Sequence, residues 1–167
     1  FHVVFSIPHE INPYCLKYPR EIYTMLFQLS WDTLSTFGSN PKHLGAQMGA
    51  ISVLHTWGQN LSLHPHLHCI VPGGGIDQRG AWQNIRRDVK FLFSVKALSK
   101  VFRGKYCSLL QNRLPTEYNK IRNDLWKKDW VVYAKRPFGS AQSVVEYLGR
   151  YTHKIAISNH RIRSIDK

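Results

Sequence analysis

Acidic residues, cysteines and long apolar runs are all scarce in this 167-residue chain, and each shortage removes a class of answer. Asp and Glu number 10 against 23 Lys and Arg, a formal charge of +13 at pH 7. The basic residues are spread along the chain rather than gathered in a tail, which points to a folded basic surface and a nucleic-acid partner. Cys15, Cys69 and Cys107 are odd in number and widely spaced, with no Cys-x-x-Cys pair. Neither a disulfide framework nor a cysteine zinc site is indicated, and a reducing, cytoplasmic setting is expected. No apolar run approaches the roughly 20 residues of a membrane span, and the start lacks a basic-then-apolar signal pattern. No membrane partner is therefore expected. Internal repeats and low-complexity segments are also absent, and the length suits one domain.

The apolar pattern divides the chain into strands and helices. Phe1 to Ile7 reads as a strand ended by Pro8, with Pro13 and Tyr14 in a loop. From Pro19 to Phe37 the apolar positions Ile22, Leu26, Leu29, Leu34 and Phe37 recur at helical spacing, and Gly38 with Asn40-Pro41 stops the element. Ala50 to Trp57 is strand-like by its β-branched and aromatic content. His66 to Val71 follows after a turn at Gly58-Gln59-Asn60, so the two strands are expected to pair antiparallel. The glycines of Pro72-Gly-Gly-Gly75 leave room for close backbone approach, and Ile76 to Trp82 reads as a further short strand. Ser94 caps a helix over about Val95 to Leu114, whose basic residues suit either a phosphate backbone or a solvated face. A second helix is expected over Thr116 to Lys128, then a strand at Trp130 to Ala134 and a helix from Ser140 or Ala141. Gly149 marks its end or a close ligand approach. Ile155-Ala-Ile157 and Arg161-Ile-Arg163 read as a last strand or hairpin.

Three histidines occupy alternate positions in His64-Pro-His66-Leu-His68. Residues two apart on a strand share a face, so His66 and His68 can bind one metal ion as neutral imidazoles. A third ligand must come from elsewhere. His55 is the first choice, on the expected partner strand, with Gln59 and His64 behind it. Open coordination positions suit a Lewis acid that holds a phosphate oxygen, and magnesium or manganese is the expected ion. His9, His43, His153 and His160 lack this spacing and are given no metal role, and Cys69 should alternate to the buried side of its strand.

Tyr147 and Tyr151 stand four apart on the last expected helix, hence on one face, one turn from each other. A phenol with a pKa near 10 needs help to act as a nucleophile. Arg150, His153 and Lys154 flank the pair and can stabilise its charge or bind phosphates. Attack on a DNA phosphate would leave a 5′-phosphotyrosine and a free 3′-hydroxyl, and a second tyrosine permits a second cleavage. Two aromatics at this spacing are ordinarily core packing. Their weight here comes from the histidine cluster and the positive charge beside them.

His64-Pro-His-Leu-His-Cys-Ile-Val-Pro-Gly-Gly-Gly75 together with Tyr147-Leu-Gly-Arg-Tyr-Thr-His-Lys-Ile-Ala-Ile-Ser-Asn159 resembles the two-tyrosine HUH transposases of rolling-circle insertion sequences, the ISCR-like group. The resemblance extends over essentially the whole chain, including Phe1 to Phe5 and Trp130 to Lys135. It implies an α+β HUH endonuclease fold, a central antiparallel sheet flanked by helices, with the His66-Leu67-His68 strand central and the tyrosine helix facing the metal. It further implies a metal-dependent nickase and strand transferase acting on single-stranded DNA at transposon ends and target, in a prokaryotic, nucleoid-associated setting. Tyr147 and Tyr151 would be the nucleophiles, assisted by Lys154; His66 and His68 would be metal ligands, with His55 added by inference from the strand pairing. Arg150, His153, Lys135 and Arg136 would contact DNA. Residues 1–167 are expected to be a single catalytic domain, with the family's zinc-binding N-terminal region and its C-terminal region lying outside it. The sequence sets no oligomeric state. Two other readings stand beside this one: a rolling-circle replication initiator or relaxase with the same chemistry, and a non-catalytic nucleic-acid-binding module whose aromatics stack on bases.

Overall fold

The computed structural model describes residues 1–58, 60–85 and 91–152, with 141 and 150–152 described in backbone only. Its centre is a four-stranded antiparallel sheet ordered β2-β3-β1-β6, formed by β1 (His2–Ser6), β2 (Ile51–Trp57), β3 (Leu63–Ile70) and β6 (Val132–Lys135). A separate hairpin pairs β4 (Gly74–Ile76) with β5 (Trp82–Asn84). The helices are α1 (Asn12–Lys17), α2 (Pro19–Ser39), α3 (Val95–Arg113), α4 (Pro115–Lys127) and α5 (Ala141–Thr152). The fold is thus mixed α and β around an antiparallel sheet, as expected, with the histidine strand β3 in its interior.

Strand alternation gives the sheet two unlike faces. Cross-strand rows Leu67-Phe5-Val132 and Cys69-Val3-Ala134 are buried. They belong to one core with Ile22, Met25, Leu26 and Leu29 of α2 and Leu98, Phe102 and Tyr106 of α3. The intervening residues carry the site: His55 opposite His66, Val53 opposite His68, and His2 opposite Ile70 and Lys135. Cys69 lies on the core face as its alternation requires, within 3.4 Å of Ser52 Oγ.

Trp130 anchors the approach to β6. Its ring packs on Phe102 and Tyr106 at centroid distances of 5.6 and 5.3 Å, its Nε1 donates to the Leu125 carbonyl, and its own carbonyl accepts from Ser99 Oγ at 2.6 Å. Phe102 is fully buried at the centre of this cluster and also touches Phe5. Phe102→Ala is expected to cost about 3–5 kcal/mol of stability, read from denaturant unfolding. A loss under about 1 kcal/mol would mean that the cluster collapses around the void.

Several local expectations differ from the structure, and β3 begins at Leu63 rather than His66, which takes His64 and Pro65 into the strand. Pro13 and Tyr14 lie in α1 rather than a loop, because a proline in the first helical turn forfeits no hydrogen bond. Asn12 at the start of α1 ties it to β3 by donating from Nδ2 to the Leu63 carbonyl at 2.7 Å. The short strand expected over Ile76 to Trp82 is instead the turn of the β4–β5 hairpin. There Asp77 Oδ1 accepts from the amides of Arg79 and Ala81, and Gly80 adopts φ +78°. Close backbone approach explains Gly75, since a Cβ there would meet the Gln47 carbonyl, which Ile76 bridges.

The basic stripe of α3 serves the fold in part. Arg103 Nη1 donates to the Lys128 carbonyl at 2.8 Å and its guanidinium lies over Trp126, while Lys105 Nζ donates to the Asp32 carbonyl and Thr36 Oγ1. The α5 helix runs through Gly149 to Thr152. The expected elements at Ile155–Ile157 and Arg161–Arg163, and the turn residue Gln59, lie outside the described residues. Among the described residues no helix is long and apolar enough to cross a membrane.

Candidate metal centre and nucleophile

The register of β2 on β3 makes the histidine cluster. His55 is the direct cross-strand partner of His66, and His68 stands two residues on along the same face of β3. Their rings lie 5.4 Å (His55–His66), 4.7 Å (His55–His68) and 4.8 Å (His66–His68) apart, and one ligand atom from each lies within 4.8 Å of the others. A bulge just after His55 stacks its ring on Trp57 at 5.5 Å. His64 is exposed, with its ring 5.2 Å from that of His66, and contributes its carbonyl. That carbonyl can only accept, so His66 Nδ1, 2.7 Å away, carries the proton and Nε2 is the nitrogen able to bind a cation.

Burial favours the neutral form of two of these histidines. Burial lowers His68 to about 3, with repulsion from His66, His55, His2 and Lys135 adding to it. His66 is lowered in the same direction, chiefly by burial. Neutral imidazole is the metal-binding form. Together with His55 they make three imidazoles converging on one sheet face, a donor set that fits a divalent cation by chemistry and by proximity.

Tyr147 projects from α5 into this cluster. Its Oη lies 3.1 Å from His68 Nδ1 and 2.7 Å from Nε2 of a fourth histidine, His2. His2 Nε2 is also 2.9 Å from His68 Nδ1, and the two rings stack at 5.1 Å with an interplanar angle of 4°. Burial lowers His2 to about 4, with the Lys135 charge, in the neighbouring register of β6, contributing. Phe138, in the loop before α5, packs on Tyr147 at 5.2 Å and faces His2 at 6.5 Å.

Of the residues picked from sequence, the structure brings together His55, His66, His68 and Tyr147, with Lys135 at the border and Arg136 exposed beyond it. Tyr151 and Arg150 lie on α5, Tyr151 four residues after Tyr147, and only their backbone is described. His153 and Lys154 lie outside the described residues. His43 packs between Phe37 and Phe93, away from the cluster. His2 and Phe138 are site residues that the sequence reading missed. The signal for His2 was available: with Val3, Phe5 and Ile7 turned to the core, alternation puts His2 on the opposite face.

Residues 49–167 match the family model described as "putative transposase". The chain is 41% identical over 182 residues to the "putative transposase y4qJ" of Sinorhizobium fredii, covering 99% of this chain and 46% of that protein. It is 29% identical over 177 residues to the transposase for insertion sequence element IS801 of Pseudomonas savastanoi pv. phaseolicola, covering 96% of this chain and 40% of that protein. The chain thus spans less than half the length of these relatives. Its fold is shared with the conjugative relaxase TrwC, solved in complex with a mutant oriT DNA, at a TM-score of 0.51 and 13% identity over 96% of this chain and 69% of that one. A family match over most of its length, carried on a relaxase-like fold that gathers the paired histidines and the first tyrosine, establishes that the chain belongs to the two-tyrosine HUH transposases of rolling-circle insertion sequences.

Proposed function

We propose that this chain is the nicking and strand-transfer domain of an insertion-sequence transposase, acting on single-stranded DNA at element ends and target. The observation that carries the reading is the Tyr147 hydroxyl held against His68 and His2, beside three converging imidazoles. The ring packs on His2 as well, at 4.6 Å, but packing alone would not require the oxygen to meet ring nitrogens of both His2 and His68.

His55, His66 and His68 would hold a divalent cation. Bound there, it would withdraw charge from a phosphate oxygen and favour attack on phosphorus. Tyr147 Oη forms the new bond to phosphorus while the bond to the 3′-oxygen breaks. The phenol proton passes to His2 Nε2, the nearest nitrogen, and the departing 3′-oxygen takes one from water. The product is a 5′-phosphotyrosine and a free 3′-hydroxyl, so the bond energy is kept for rejoining. Tyr151, one helical turn further, supports a second such step. Lys135, Arg136, Arg150, His153 and Lys154 are assigned to the DNA phosphates and the developing charge. The name of the Pseudomonas savastanoi relative supports an insertion sequence as the context, and the oriT complex of the structural neighbour supports DNA as the ligand.

The direct test is a denaturing gel of the protein incubated with labelled single-stranded oligonucleotides and Mn²⁺ or Mg²⁺. A protease-sensitive adduct lost on chelation is expected, and a persistent absence of adduct would refute the reading. His2→Ala is expected to slow adduct formation by about 10²-fold, the lower range for a positioned proton acceptor, with single-stranded DNA affinity unchanged. An equal fall in affinity and rate would make His2 a structural residue instead.

A further inference from the structure

An apolar cavity of about 660 Å³ opens beside the nucleophile, and none of the roles above uses it. Its floor is Ile51 and Ile70, which are cross-strand partners in a row that continues through His2 to Lys135. With neighbouring strands about 4.8 Å apart, His2 lies one strand from the floor. Val144 of α5 also lines it, three residues before Tyr147 and so on the same helix face. Phe138 is shared by both places, lining the cavity while packing on Tyr147. Phe1 supplies a second ring, and among the described residues no charged side chain lines the cavity.

These features select the occupant. Among the described residues a phosphate would gain no cationic side chain inside the cavity, whereas Lys135 and the histidines wait just outside it. A flat ring with apolar faces, joined to a phosphate by a short tether, matches both halves at once. We infer that the cavity receives an unstacked nucleobase of a nucleotide adjoining the scissile phosphate, with Phe138 bridging the base and the nucleophile. Single-stranded substrate makes this cheap, since no base pair need open. The inference rests on the reading of Tyr147 as the nucleophile, and its role is to set where along the strand the phosphate comes to rest.

The test places the change in the DNA first. With the adduct phosphate mapped on an oligonucleotide, each adjoining nucleotide is replaced by an abasic spacer, and adduct kcat/KM is measured for the full-length protein with Mn²⁺. One abasic position is expected to lower it at least about fivefold, the lower end for loss of one stacked base. Gly49→Trp is the protein arm, because a Cβ at Gly49, a lining residue, meets nothing within 4 Å. In that variant the intact oligonucleotide should react as poorly as the abasic one, and the abasic penalty should vanish. Adduct formation indifferent to both abasic positions, or an undiminished penalty in Gly49→Trp, would overturn the base pocket alone and return the groove to a polypeptide partner. No adduct on any oligonucleotide would overturn the transferase reading and the pocket together.

Discussion

The Tyr147→Phe, Tyr151→Phe double variant is expected to form no covalent DNA adduct, a loss of at least about 10³-fold of the kind that follows removal of a nucleophile. Binding to single-stranded DNA should remain within about threefold. The asymmetry follows from what phenylalanine keeps. Its ring can still pack on Phe138 and His2, so α5 retains its apolar contacts and the sheet face its shape. Only the oxygen is lost, and with it hydrogen bonds to His2 and His68 whose net stability contribution is about 1 kcal/mol each. The single Tyr147→Phe variant separates the two phenols. Tyr147 already touches the histidine cluster, so the first cleavage should fall with it alone. Adduct formed at full rate by the double variant would remove both tyrosines from the mechanism. Adduct at full rate in the single variant would transfer the first step to Tyr151.

The same residues show what could be read ahead of the structure. Alternation alone set the two faces of β3, and antiparallel pairing across a short connection brought His55 or Gln59 towards His66 and His68, of which the structure puts His55 directly opposite His66. Both are local consequences of a strand period of two and a short loop. The meeting of Tyr147 with His68 is of another kind, because 79 residues separate them and no local pattern measures that distance. It was legible only because the motifs together resemble a known family. His2 was missed for a related reason. Its strand precedes the cluster by more than 60 residues, and its neighbour relation to His68 depends on β1 lying between β3 and β6. Pro13 misled because proline marks a loop or a first helical turn with equal ease, and only packing beneath Cys15 decides between them. The basic stripe of α3 was ambiguous from sequence, and the layer order settles part of it. Arg103 and Lys105 reach neighbouring helices and their connections, while the histidines occupy the other face of the sheet.

Replacing both His66 and His68 with alanine is expected to abolish metal-dependent cleavage, lowering adduct formation by at least about 10²-fold even at raised metal. Changing groups that merely support a metal ligand already costs about 10- to 100-fold. The variant should nevertheless fold, because the two side chains leave the sheet face opposite the apolar core while the buried rows through Leu67 and Cys69 stay intact. Thermal unfolding separates these effects. Wild-type protein should gain stability with Mn²⁺ as binding to the native state demands, about 2.7 kcal/mol at a hundredfold excess over Kd, and the double variant should gain none. Nitrogen donors suit manganese and later metals better than magnesium, so Mn²⁺ should act at lower concentration than Mg²⁺. His55→Ala tests the ligand chosen from strand pairing: a weakened but detectable Mn²⁺ shift is expected, since His66 and His68 remain two residues apart on one strand. A shift of full size in His55→Ala would move the third ligand elsewhere. Full cleavage by the His66, His68 double variant would exclude the cluster as the metal centre and leave Tyr147 to be activated by His2 and the surrounding basic residues alone.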